Sequence, residues 1–470
     1  MYQLGPNEVL LKFLSSAVGP SFCVSSCSST SNVVNALISH IITATCHARL
    51  YGFSLGKGLV PTDQSKGGPV NPIGRPFMAG VRVVATFHSM FACNVLRNVR
   101  SEGVTNATTH TLRSLYVGFV CLSFLIFAGE WGYAIKQLVE VVMKQSGKHM
   151  LYTSYLLFFL VFTALTAIVN YALTFFYAPS YQQLMRACSK IEEQIVLPPG
   201  ENQAALRYSY TLIAWQIIAS SWSLYFGTRS GLYVDKLPML ASNSRFLQWL
   251  FQALKCYGIL QASVWGMIPR LWMAYFARTF RCYIRVICEQ LDACLRSSVA
   301  SSERMTRRLD ALRQDLERVK TASGVASRIV SPGFTAALFA SVVNVTVALH
   351  CASSGTVLGD EYRIFFSGWV LLQMVSLTWP VLGWQRIKHE VAKLRYVAQD
   401  FELPDGSPTI LSEHILMLLY SLEGDVFTNA FGGFIAIQPS LVASVIGTVA
   451  AYTVLLRQTA DVLIASGETH

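Results

Sequence analysis

Charge is scarce in this chain. Only 13% of its 470 residues are Asp, Glu, Lys or Arg, against about 25% in an ordinary water-soluble domain. That shortage excludes a solvated globular protein and points to a membrane composition. The 11 cysteines include no Cys-x-x-Cys pair and no regular spacing, so neither a zinc ribbon nor a disulfide framework is expected. There is no His-Glu-x-x-His helix and no glycine-rich phosphate loop. No enzyme activity and no cofactor are therefore expected. The first residues have no basic stretch ahead of an apolar core, so no secretory signal is read there. Lys and Arg outnumber Asp and Glu by 37 to 26. No exposed basic domain carries the excess, which argues against a nucleic-acid partner.

What the chain has in quantity is apolar sequence. Hydrophobic residues make up 53% and the mean hydropathy is +0.42. Seven runs of near 20 residues are each long enough to cross a bilayer as a helix. They are Leu115–Ile135, Leu151–Leu173, Tyr208–Gly227, Trp249–Met273, Phe334–Ala352, Phe365–Gly383 and Pro439–Gln458. Barrel-type alternation is missing from them, so the fold class is an all-α membrane protein with seven transmembrane helices. Basic residues crowd the region before the first span and the segment between the fourth and fifth. The positive-inside rule then sets the N-terminus in the cytosol and the C-terminus outside. A conventional G-protein-coupled receptor has the opposite orientation. Neither Asp-Arg-Tyr after the third span nor Asn-Pro-x-x-Tyr in the seventh is present.

The organisation follows from these spans. Residues 1–112 read as a cytosolic region with amphipathic helices. Within it Phe77–Val99 is broken by Arg82, His88, Asn94 and Arg97; it reads as an interfacial or cytosolic helix, with an extra span as the alternative. Residues 113–274 carry spans one to four and 331–385 spans five and six. Residues 275–330 and 386–435 read as cytosolic helical extensions. In the first, Leu309, Leu312, Leu316 and Val319 recur on one helical face. Residues 436–460 form the seventh span and 461–470 an outer tail.

The seventh span carries the one motif. Tyr452 is followed by five residues and then Gln458. This resembles the signature ending the last helix of the insect gustatory receptor family, where Thr-Tyr, five hydrophobic residues and Gln-Phe stand. Here Ala451 occupies the Thr place, Arg457 the fifth hydrophobic place and Thr459 the Phe place. The approach Phe427-Thr428-Asn429-Ala430-Phe431-Gly432-Gly433-Phe434 is similar to the family's as well, and so is the inverted topology. The resemblance implies a plasma-membrane, multi-pass chemosensory receptor that is a ligand-gated, non-selective cation channel. It implies a homotetramer or a heterotetramer with related subunits. Cytosolic extensions would form an anchor domain, and the last helix would line the pore. Carried over, the pore and gate residues are Tyr452, Leu455, Gln458, Thr459 and Asp461. Arg457 is expected to face another helix or the headgroups, since arginines in a pore repel cations.

A ligand site is harder to read. Ionisable groups within spans are costly and mark function by default; Glu130, Lys255 and His350 fall at similar depth in spans one, four and five. Aromatic residues share that layer, among them Trp131, Tyr155, Trp222, Tyr257 and Trp369. Gln216 and Gln373 lie nearer mid-depth. With a tastant or other small chemical ligand as partner, these residues would line an outward-opening pocket. The competing reading is an interfacial aromatic belt with a snorkelling lysine. A G-protein-coupled receptor and a transporter remain as alternatives to the channel.

Overall fold

The computed structural model describes residues 76–91, 106–144, 147–229, 245–296, 302–353, 360–400, 409–422 and 438–467. Their regular structure is helical throughout. The helices are α1 (Pro76–Ser89), α2 (Asn106–Lys144), α3 (Gly147–Phe176), α4 (Ala178–Gln194), α5 (Glu201–Arg229), α6 (Arg245–Arg296), α7 (Ser302–Ser353), α8 (Asp360–Gln399), α9 (Thr409–Leu422) and α10 (Pro439–Gly467). By their contacts the residues form two units. One consists of 1–60 with 236–256, and its described part is the opening of α6, where Phe246, Trp249 and Leu250 are exposed. The other, 61–235 with 257–470, holds the helical bundle described below.

Among the described residues, five helices are long and apolar enough to cross a membrane, through Val117–Lys144, Tyr152–Thr174, Glu303–Ser353, Tyr362–Gln399 and Pro439–Thr459. The other two expected spans are helical too, in α5 and α6, which have 29 and 52 residues. Length is not what they lack. Each carries a polar stripe turned into the bundle. In α5, Ser209, Gln216 and Ser220 are buried; in α6, Gln261, Ser263 and Arg270 are buried. Helices enclosed by protein can hold polar side chains that bond to neighbours, which lowers their hydropathy.

Helix α7 is the hub, packing against α3, α4, α8, α9 and α10, while α1 pairs with α5. The short helix α1 is the described part of the Phe77–Val99 segment. It is not a surface element: Phe77, Val81, Val84 and Phe87 are buried, and only the opposite face, with Arg82 and Thr86, is exposed. Glu192 holds its start. The Glu192 carboxylate accepts from the Phe77 backbone N–H and from the Tyr283 hydroxyl, both at 3.0 Å. A carboxylate at a helix N-terminus satisfies an orphan donor and complements the helix dipole. At the other end, Trp265 Nε1 donates to the Phe91 carbonyl at 2.9 Å.

Helices α4 and α5 are joined through Pro198-Pro199-Gly200. Gly200 has φ of 90°, a left-handed conformation that a side chain disfavours. Further along, α9 docks on α7 and α8 through Ile415, Leu418 and Leu422. Its last carbonyls accept from cations, Ser421 from Lys320 at 3.1 Å and Leu422 from Arg395 at 3.0 Å. Cations at a helix C-terminus are stabilising there.

One thiol on the extension of α6 makes a checkable prediction. Burial, with the Glu201 carboxylate second, pushes Cys282 from its ordinary value of 9 up to about 12. Peptide mapping after maleimide treatment at pH 8 should leave Cys282 unlabelled until the protein unfolds. The neutral thiol is the form that the fold favours. Its contribution to stability is therefore complete below pH 9 and is lost as pH climbs toward 12. Labelling of Cys282 in the folded protein would contradict its placement.

Candidate functional site

The interior of the bundle is organised by four networks, and the candidate ligand residues are distributed among them. The first is aromatic and joins α3, α7, α8 and α5. His350 is fully buried on α7, stacked on Tyr152 (5.9 Å, 17°) and edge-on to Tyr155 (4.8 Å, 76°). One turn along α3, Phe159 meets Trp369 edge-on at 5.7 Å. Trp369 stacks on Phe365, which stacks on Trp222. Trp222 donates its Nε1–H to the Phe365 carbonyl at 3.2 Å. Tyr155 and His350 thus belong to one ring cluster and Trp369 and Trp222 to a second, both resting on α3. Trp369 Nε1 is buried and makes no hydrogen bond among the described residues.

The second network lies between α2, the end of α1 and α6. Trp131 is buried and donates to the Gly258 carbonyl at 3.3 Å. Glu130 is half-buried, with its methylenes against Gly258, where an added Cβ would lie 3.3 Å from Glu130 Cβ. Tyr257 stacks on Phe91 at 6.1 Å and donates to the Met90 carbonyl at 3.3 Å. In the third network, buried Gln216 accepts from His88 Nε2 at 3.1 Å and donates to the Val264 carbonyl at 3.2 Å. A histidine and a glutamine that would each be costly alone are satisfied together.

The fourth network centres on a residue that the sequence reading passed over. Arg270 lies within the fourth expected span and is only 5% exposed. Its Nη1 donates to Gln373 Oε1 at 2.5 Å, and its Nη2 to Ser341 Oγ at 2.5 Å and the Ala337 carbonyl at 3.0 Å. Three helices, α6, α7 and α8, are tied by one guanidinium. All three of its acceptors are neutral. The signal was present in sequence as a lone arginine after Pro269 in the apolar run Trp265–Phe276. His88 was legible as well, but as a break in a pattern rather than as a partner for Gln216.

The candidate pore residues are in α10. Only Val445 and Val449 are buried in its apolar span. Tyr452, Leu455, Gln458 and Thr459 are all exposed, and Thr459 Oγ1 donates back to the Leu455 carbonyl at 2.9 Å. Arg457 is exposed too; Asp461 is not among the described side chains, and Lys255 belongs to the other unit.

Fold and interior together define an all-helical, multi-pass membrane protein. No family model matches the sequence, and no curated protein matches it. Solved structures do match. The insect olfactory receptor OR5 from Machilis hrabei aligns with a TM-score of 0.54 at 11% identity, covering 81% of this chain and 99% of that one. The same receptor in complex with eugenol aligns with a TM-score of 0.47 at 12% identity, covering 82% and 99%. At such identity the likeness is one of fold: the chain has the fold of an insect olfactory receptor.

Proposed function

We propose that the chain is a gustatory-receptor-like chemosensory receptor at the plasma membrane. It acts as a ligand-gated, non-selective cation channel, a homotetramer or a heterotetramer, with α10 lining the pore. The observation that carries this reading is the surface of α10. This apolar helix is only 11% buried across its span. Ser444, Thr448, Ala451, Leu455 and Gln458 follow one another along it and are all exposed. Small and polar groups suit neighbouring helices or a water-filled path better than lipid. The shared fold and the Tyr452–Gln458 spacing support the same reading. Ligand binding among the aromatic and polar networks would open the channel by binding the open arrangement more tightly than the closed one.

Two measurements test this. An epitope tag after His470 should stain intact cells, as the proposed topology requires. Whole-cell recording under a panel of tastants should then give cation current that persists with G proteins blocked. Replacing Gln458 by Ala should alter conductance or gating. A tag seen only after permeabilisation, with surface expression shown independently, would overturn the topology and the pore with it.

A further inference from the structure

We propose that a cleft between α6 and α8 binds one anionic amphiphile, an acidic headgroup on an acyl chain. The cleft has a volume of about 410 Å³, within the usual range for small-molecule sites. None of the candidate ligand or pore residues lines it. Its chemistry is graded along α8. Met374, Thr378, Leu382 and Arg386 line it at successive turns, so one helix face runs from apolar to cationic. Across from them, α6 contributes Ala277 and then Arg278 and Arg281. Three guanidinium groups therefore gather at one end and an apolar wall at the other. A small neutral ligand has no use for the arginines. A free inorganic anion has none for the wall.

The floor is built rather than incidental. Trp379 donates its Nε1–H to the Tyr208 hydroxyl at 3.1 Å, which donates to the Ala274 carbonyl at 3.2 Å. Gly383 lets α8 approach α6, since a Cβ there would lie 3.0 Å from Ala277 Cβ. Two of the arginines are positioned by carboxylates: Arg278 is bonded to Glu201, and Arg281 Nε donates to Glu390 at 3.0 Å. Arg386 is exposed, and no carboxylate among the described residues pairs with it. It is the cation left to meet a headgroup. The cleft lies where the apolar part of α8 gives way to Arg386, Lys388, Lys393 and Arg395. Under the topology proposed above this end faces the cytosol, but the site does not depend on that assignment.

Native mass spectrometry of the purified full chain tests the proposal. The probes are dioleoyl phosphatidylglycerol, dioleoyl phosphatidylcholine and oleate, each added to the detergent-solubilised protein. Monodisperse protein should retain about one acidic lipid or oleate per chain. Charge-assisted hydrogen bonds contribute enough that Arg386→Gln should cut retention about tenfold. Val375→Trp, which fills the apolar end, should do the same. Lys388→Gln removes an equal charge from another face of α8 and should leave retention unchanged. Preference for phosphatidylglycerol identifies a phospholipid occupant; preference for oleate identifies a free fatty acid. Equal retention of phosphatidylcholine, or a loss in Arg386→Gln no larger than in Lys388→Gln, overturns the proposal.

Discussion

Replacing Gln373 by Leu is expected to destabilise the protein more than replacing Arg270 by Met. The two side chains form one hydrogen bond, at 2.5 Å, but the two deletions leave different remainders. Arg270→Met removes the buried cation and leaves a thioether of similar length among neutral groups. The acceptors on Gln373 and Ser341 lose a donor, a cost of about 1–3 kcal/mol. Against it stands the relief of no longer holding a charge away from water. Gln373→Leu keeps the guanidinium buried and takes away one of its three neutral acceptors. Leaving a buried donor unsatisfied costs about 1–3 kcal/mol, and more when the donor is charged. The apparent melting temperature of the detergent-solubilised protein should therefore fall further for Gln373→Leu than for Arg270→Met. The double variant should recover part of the loss. The opposite order would show that the arginine is not isolated from water as its burial indicates.

Gly368→Val is expected to disrupt the aromatic network on α8. A Cβ built at Gly368 falls inside the indole of Trp222, and that ring is a rigid plane rather than the end of a flexible chain. Accommodation requires Trp222 to leave both its stack on Phe365 and its hydrogen bond to the Phe365 carbonyl. Overpacking of this kind costs about 1–3 kcal/mol before the lost hydrogen bond is counted. The companion variant decides the cause. Trp222→Ala alone opens a cavity and is destabilising; combined with Gly368→Val it removes the clash. The double variant should be more stable than additivity allows. Additive losses would place the cost of Gly368→Val elsewhere.

Much of the fold was legible because the bilayer imposes one strong rule. Every apolar run of near 20 residues became helix, including the two in α5 and α6 that are less apolar than the rest. What separates those two is Gln216, Ser220, Ser263 and Arg270, whose orientation into the bundle a linear reading does not supply. The site was legible in composition but not in partnership. Tyr155, His350, Trp369 and Trp222 could be named as aromatic or ionisable residues of one layer. Their pairing, His350 with Tyr155 and Trp369 with Trp222 through Phe365, depends on how α3, α5, α7 and α8 meet. Arg270 was within reach by the rule that flags Glu130 and His350, and its partner Gln373 was already named. The cleft at Arg278, Arg281 and Arg386 draws on residues more than a hundred positions apart. In sequence these arginines belong to two separate basic segments, and only packing makes them one site.

The three longest helices also share a proline each: Pro269 in α6, Pro332 in α7 and Pro380 in α8. Pro269 adjoins Arg270, and Gly333, next to Pro332, packs against the Pro269 ring at 2.7 Å from an added Cβ. Each proline removes a backbone hydrogen bond from its helix, and helices bend where that bond is missing. The interruptions in α6 and α7 thus fall at one contact, and Arg270, beside it, bonds to α7 and α8. Seen mechanically, the weak points of α6 and α7 are braced by the same guanidinium that ties both helices to α8.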